Sequence, residues 1–64
     1  MHNNNVYNLM MQLTEEHKSL WRIKKEYLKD AKNNPKVKAY WTKNAKEKEA
    51  HIKELTVLLK GELK

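Results

Sequence analysis

The chain has no cysteine, only one glycine and one proline, and no long apolar run. Without cysteine it can form neither a disulfide nor a thiolate metal site, and it has no thiol nucleophile. One glycine and one proline are too few for the many turns of a β-rich or loop-rich fold. No apolar run approaches the roughly 18 residues that a membrane span requires, so we expect no membrane association.

The N-terminal stretch also does not have the pattern of a secretory leader. Residues 1–5 lack the positively charged segment and the apolar core of a signal peptide. The absence of cysteine fits a reducing compartment. We therefore expect a cytoplasmic protein.

What the chain does contain is charge and helix-forming residues. Its 64 residues form one domain at most, and a chain of this size buries only about 60% of its unfolded surface. Such chains commonly gain stability by oligomerising when disulfides are absent. Fourteen basic residues outnumber eight acidic ones, for a net charge of +6. The excess suggests an acidic partner, such as a nucleic acid or an acidic protein, or else a lysine-rich solvated surface.

The one clear break in the helical pattern is Asn33-Asn34-Pro35. Proline disfavours helix at the preceding residue and suits the first turn of a new helix, and Asn34 is a natural N-cap. We predict a single domain over residues 1–64, with helix 1 over about 4–32, a turn at 33–35 and helix 2 over about 35–60, which Gly61 would end. So short a connection makes the helices antiparallel neighbours. The predicted fold class is therefore all-α, an antiparallel two-helix hairpin.

Helix 1 carries two adjacent stripes that are largely apolar. The first stripe, the seam toward helix 2, contains Val6, Leu9, Leu13, Glu16, Leu20, Ile23, Tyr27 and Asp30. The second stripe contains Tyr7, Met10, Thr14, His17, Trp21, Lys24, Leu28 and Ala31. Two stripes are wider than one partner helix covers, because a helix pair needs only a narrow seam. We therefore predict that Tyr7, Met10, Trp21 and Leu28 form an oligomer interface, in a homodimer that completes a four-helix bundle.

Folding the hairpin about Asn34 matches the apolar residues of the two helices. The resulting pairs are Tyr27 with Trp41, Ile23 with Ala45, Leu20 with Lys48, His17 with His51, Leu13 with Leu55, and Leu9 with Leu59. Glu16 and Lys48 both interrupt apolar seams, about one helical turn apart. Buried charges of opposite sign should pair, since leaving one alone costs several kcal/mol. We predict a core ion pair between them; the alternative is that both long side chains reach solvent at the edge.

Histidines and a carboxylate offer a weak metal candidate. Glu47 and His51 are four residues apart and share a helix face, and the register brings His17 opposite His51. Two imidazoles and a carboxylate can bind zinc or a similar divalent ion. Histidines at an interface edge can equally form ordinary hydrogen bonds. We expect the second case, with no bound metal and no cofactor.

A family resemblance involves residues of both helices. The residues that carry it are Tyr27, Trp41, Ala45, His51 and Leu55. Their spacing resembles half of a ferritin-like or rubrerythrin-type bundle, in which helix 1 supplies a ligand glutamate seven residues before a tyrosine and helix 2 supplies Glu-x-x-His. The matching ligand positions here are Leu20 and Lys48, with only His51 retained. The resemblance implies the hairpin and its pairing, but the carboxylates of a di-iron site are missing.

Positive charge is concentrated toward the predicted turn. Residues 18–48 contain eleven basic and three acidic residues, a local charge of +8, whereas the residues before them sum to −2 and those after to zero. A stripe at four- and three-residue steps holds Lys18, Arg22, Lys25, Lys29 and Lys32. This stripe could follow the phosphates of a nucleic acid, bind an acidic protein, or form a solvated surface.

Nothing in the sequence indicates catalysis. No serine or threonine is arranged with a histidine as a nucleophile, no glycine-rich phosphate loop is present, and a continuous hairpin offers little concave pocket for a small-molecule substrate. We expect a non-enzymatic interaction or structural module that acts as a homo-oligomer with a basic turn end. The alternatives are an RNA- or DNA-binding hairpin dimer and a metal-binding, ferritin-like remnant.

Overall fold

The structure is a computed structural model that describes residues 4–63. Residues 1–3, part of the stretch used to judge the leader, and residue 64 lie outside the described residues. The described chain is entirely helical apart from one turn: α1 is Asn4–Arg22, a π-helical segment covers Ile23–Tyr27, α2 is Leu28–Asp30, and α3 is Pro35–Glu62. The prediction of an all-α protein is confirmed.

The helices form two arms with a hairpin-like arrangement. α1, the π-helical segment and α2 form the first arm without interruption, and α3 is the second. At one end, Asn5 Nδ2 donates to Glu62 Oε1 over 3.5 Å. At the other end, the rings of Tyr27 and Trp41 have centroids 4.7 Å apart. Because the contacts pair early residues with late ones, the arms run in opposite directions over a length of 51 Å.

The turn is formed by Asn34 and Pro35, the residues from which it was predicted. Asn34 has extended backbone angles, φ −130° and ψ 94°, and its side-chain oxygen accepts a hydrogen bond from the Val37 amide over 3.2 Å. Pro35 occupies the first turn of α3, where its missing N–H has no helical partner to lose. The predicted N-cap is confirmed. The first arm ends at Asp30 rather than at residue 32, because Ala31 leaves the helical region with φ −91° and ψ 6°.

The second arm continues beyond its predicted end. α3 passes through Gly61 and ends at Glu62. Gly61 does not adopt a positive φ, so it does not form the left-handed cap that usually ends a helix at glycine. Instead, the Leu63 amide bonds the Leu59 carbonyl over 3.0 Å and continues the helical pattern.

The π-helical segment changes the register of the first arm. The Leu28 amide bonds the carbonyl of Ile23, five residues back, instead of four. A π turn holds an additional residue, so every later side chain is displaced around the helix by about one position. As a consequence, Asp30, predicted on the seam, is exposed, and Ala31 is buried in its place at 5% exposure. Leu28, predicted for the outer interface, is half-buried.

Burial divides the hairpin into two halves. We call residues 18–48 the turn half, and residues 4–17 and 49–63 the open half. The buried apolar side chains of the described residues, Ile23, Ala31 and Ala45, all lie in the turn half. The matching leucines of the open half, Leu9, Leu13, Leu55 and Leu59, are only half-buried. No helix of the described residues is long and apolar enough to cross a bilayer.

Candidate functional site

A buried carboxylate lies at the boundary between the two halves. Glu16 is 6% exposed, and among residues 4–63 it is the only charged residue that is buried. Lys48 Nζ lies 3.1 Å from Glu16 Oε1, and His51 Nδ1 lies 3.1 Å from Oε2. Gln12 Nε2 donates to Oε1 over 3.3 Å. We call these four residues the Glu16 cluster; in it both carboxylate oxygens have partners.

The helical repeat explains why these side chains meet. Glu16 lies three and four residues from Leu13 and Leu20, so it faces α3 together with the apolar seam. Lys48 and His51 are three residues apart on α3 and share a face. Both therefore reach the same carboxylate from one side of the hairpin. The predicted partner, Lys48, contacts Glu16 directly, with a quarter of its own side chain still exposed.

The partners keep Glu16 ionised despite its burial. Burial alone raises the pKa of the carboxyl, because the charged form loses its hydration. Hydrogen bonds from Lys48 and His51, together with the positive charges that these residues carry or can carry, act in the opposite direction and prevail. The pKa of Glu16 therefore lies below its ordinary value. The cluster holds a charge inside the hairpin instead of presenting a free base to solvent.

The role of His51 was not found from the sequence. The register pairs it with His17, but in the structure its ring bonds Glu16 instead, and His17 is exposed. The signal was present, because a residue three positions after Lys48 on α3 shares the face that Glu16 approaches. Residues 4–63 contain no group of three or more histidines and carboxylates placed to hold a metal ion. The candidate set of His17, Glu47 and His51 is therefore not gathered into a site.

A shallow groove lies beside the Glu16 cluster. It has a volume of about 200 Å³ and is lined by Gln12, Glu16, His51, Glu54, Leu55 and Leu58. Ligand sites usually enclose about 300–1,000 Å³ and bury most of the ligand. The side chain of His51, which lines this groove, is 56% exposed. The groove thus offers an exposed histidine over a carboxylate that is already paired.

A row of exposed side chains follows the outer side of α1. We call Tyr7, Met10, Thr14, His17 and Trp21 the outer stripe. Tyr7 is 65%, Met10 52% and Trp21 57% exposed. The hydroxyl of Thr14 donates to the Met10 carbonyl over 3.0 Å, so it needs no outside partner. The stripe is an apolar surface whose central polar group is already satisfied.

Lys24, predicted on the same stripe, has a different role. Its Nζ lies 3.0 Å from Glu49 Oε2 and links the two arms. Both side chains are about half exposed, and ion pairs of this kind contribute about 0–1 kcal/mol. The outer stripe therefore ends, on the side of the turn, in a surface ion pair between the arms.

The predicted basic stripe is exposed but not continuous. Its members are Lys18, Arg22, Lys25, Lys29 and Lys32, and all are exposed. Lys18 lies 3.8 Å from Glu15. Lys25 lies in the π-helical segment and Lys29 follows it in α2, whereas Lys32 lies in the turn instead of a helix. The five cations therefore do not share one α-helical face; they are spread along the first arm of the turn half, from α1 to the turn.

Comparison of the chain with protein-family models, with curated proteins and with solved structures gives no match. Functional inference therefore rests on the geometry of the Glu16 cluster, the outer stripe and the basic turn half.

Proposed function

We propose that this chain is a small non-enzymatic interaction module that works as a homodimer, in which the outer stripes of two hairpins pack together into a four-helix bundle. The observation that carries the proposal is the exposure of the outer stripe. Its three large side chains are each more than half exposed. They follow the alternating three- and four-residue spacing by which helices pack against one another.

The limited core of a single hairpin supports the proposal. The buried apolar side chains of the described residues are one isoleucine and two alanines. A chain of this length is marginally stable alone and commonly relies on association. A second copy that covers Tyr7, Met10 and Trp21 would remove large apolar side chains from water, at about 25 cal/mol for each Å² buried.

The turn half supplies the second part of the proposed function, which is a docking end for an acidic partner. It carries a local charge of +8. Its predicted stripe cations are exposed to solvent. Such a concentration of charge attracts acidic proteins or phosphates and raises their rate of association.

Replacing Trp21 with alanine tests the dimer. Trp21→Ala should weaken the dimer by at least tenfold, since a tryptophan that anchors an interface can contribute 2 kcal/mol or more, roughly thirtyfold. Arg22→Ala is the matched control, because Arg22 is the next residue on α1 and is exposed outside the outer stripe. The dissociation constants are measured by sedimentation equilibrium. Equal constants for the two variants would remove the outer stripe from the interface.

Nucleic-acid binding is the second candidate function, and the exposed cations around the turn favour it. Labelled single- and double-stranded oligonucleotides, titrated with the protein at several salt concentrations, should show an affinity that falls steeply with salt. The variant Lys25→Gln/Lys29→Gln should bind less tightly than Lys53→Gln/Lys60→Gln, which removes the same charge from exposed positions in the open half. An equal loss of oligonucleotide affinity in the two variants, or no binding at low salt, would contradict nucleic-acid binding at the turn and favour an acidic protein as its partner.

A further inference from the structure

The two halves of the hairpin differ in the sign of their charge. Residues 18–48 carry +8. In the rest of the chain, residues 1–17 contain two glutamates and no lysine or arginine, and residues 49–64 contain three glutamates and three lysines, a net charge of −2. The hairpin is therefore a rod of 51 Å with a strongly positive end and a weakly negative end.

This polarity limits how a second copy can lie against the outer stripe. If both turns pointed in the same direction, two ends of charge +8 would lie side by side, within about one Debye length of 8–10 Å. If the turns pointed in opposite directions, each positive end would lie near a negative end of the other copy. The positive ends would then be separated by several Debye lengths, and their repulsion would be screened.

The outer stripe is compatible with the reversed arrangement. Tyr7 and Trp21 are equally far from Thr14, seven residues on each side. In a two-fold symmetric, reversed contact centred on Thr14, Tyr7 of each copy lies against Trp21 of the other, and the small Thr14 meets its own copy. Tyrosine and tryptophan rings pack favourably at offset or edge-to-face angles. The satisfied hydroxyl of Thr14 can be buried there without losing a hydrogen bond.

We propose that the second copy binds the outer stripe with its turn pointing in the opposite direction, so that the dimer carries a positive pole at each end. This inference rests on the proposed homodimer and specifies its partner face and orientation. It also changes what the assembly can bind. Two separate basic poles can each hold an acidic segment, so one dimer can link two of them and gain affinity from both contacts.

Distances between spin labels test the orientation, and the cysteine-free chain allows one label on each copy. Asn33→Cys places the label in the exposed turn. Asn33 is 19 residues from Thr14, so the reversed dimer separates the two labels by roughly 50–55 Å at about 1.5 Å per residue. A dimer with parallel hairpins brings them within roughly 10–20 Å, the spacing of neighbouring helices.

Glu15→Cys is the matched control. Glu15 is exposed and lies next to Thr14, so its labels should be close together in either orientation if the outer stripe forms the contact. A long distance at residue 33 and a short one at residue 15 support the proposal. Short distances at both positions would overturn the reversed orientation and leave the homodimer intact, whereas long distances at both would move the contact to another face. A monomeric mass by light scattering, without dipolar coupling at either position, would overturn both the orientation and the homodimer.

Discussion

The turn half and the open half of this hairpin differ in how well their apolar side chains are buried. In the turn half, Ile23 is 1% exposed and two alanines are buried, while the rings of Tyr27 and Trp41 contact each other at a tilt of 43°. In the open half the facing leucines are only half-buried, and large side chains such as Tyr7, Met10 and Leu58 remain more than half exposed. The half with the tight core also carries the concentrated charge. Most of the exposed large apolar side chains lie in the open half, whereas Trp21, Val37 and Tyr40 are exposed in the turn half.

This difference supports the proposal that the open half is the part of the hairpin that gains most from a partner. A charged surface over a packed core is stable in water, because the charges remain solvated and the apolar groups are inside. Clustered exposed apolar side chains commonly mark a contact site. The Glu16 cluster lies where the two halves meet. Through Lys48 and His51 it links the two arms at the point where the tight core ends.

The largest effect that separates the halves should come from truncating the core. Ile23→Ala removes the most deeply buried side chain and should lower the free energy of unfolding by about 3–4 kcal/mol. Leu13→Ala removes a half-buried side chain of the open half and should cost about 1–2 kcal/mol. Urea unfolding at one chain concentration, followed by circular dichroism, compares them. A larger loss at Leu13 would reverse the assignment of the tight core to the turn half.

Removing one member of the ion pair at the boundary should have the next largest effect. Lys48→Leu leaves Glu16 buried with weaker partners and should cost about 2–3 kcal/mol. Glu16→Leu should cost less, about 1–2 kcal/mol, because a quarter of the Lys48 side chain is exposed and its ammonium can turn to water. The double variant should recover most of the stability, since an apolar pair of similar volume can replace a buried ion pair.

The double-mutant cycle also distinguishes pairing from independent solvation. If both single substitutions are silent and their effects simply add, the two side chains act separately, and the alignment of the arms does not depend on them. A sizeable coupling energy, with recovery in the double variant, identifies the pair as the element that joins the halves.

The smallest expected effect is a change in the acid sensitivity of the boundary. The pKa of Glu16 is lowered in the folded state, so its contribution to stability is fully present above its unfolded pKa of about 4.3 and is lost as the pH falls through the folded pKa. The stability advantage of the wild type over Glu16→Gln should therefore shrink as the pH falls below about 5. Urea unfolding of both proteins at a series of pH values measures this difference in the free energy of unfolding. An advantage that grows as the pH falls below about 5 would mean that the pKa of Glu16 in the folded state is raised.

The sequence predicted the turn itself better than the helices on either side of it, and the reasons are physical. Asn34 and Pro35 specify a cap and a helix start through local chemistry, so the turn could be placed from their identities alone. The pairing of Tyr27 with Trp41 then followed from the short connection. By contrast, the end of α3 depends on whether Gly61 adopts a positive φ, and glycine permits that conformation without requiring it.

One residue, Asp30, conflicts with a regular helical register in the first arm. A regular heptad places Asp30 on the apolar seam, where an unpaired carboxylate is unfavourable, and the next residue is alanine. The π-helical segment resolves the conflict by moving Ala31 inward. Helical periodicity assumes a constant number of residues per turn, so it cannot locate such an insertion by itself. The same assumption placed five basic residues on one face and Leu28 on the outer stripe.

The thermal stability of the chain at different concentrations tests most directly whether a second copy completes the open half. Folding that is coupled to dimerisation makes the melting temperature depend on concentration by mass action. Circular dichroism of the wild type over a hundredfold range around micromolar should give a melting temperature that rises with concentration, and Trp21→Ala should show a smaller rise. A wild-type melting temperature that stays constant over this range, with full helicity and a mass of one 7.7 kDa chain, would contradict the proposed homodimer.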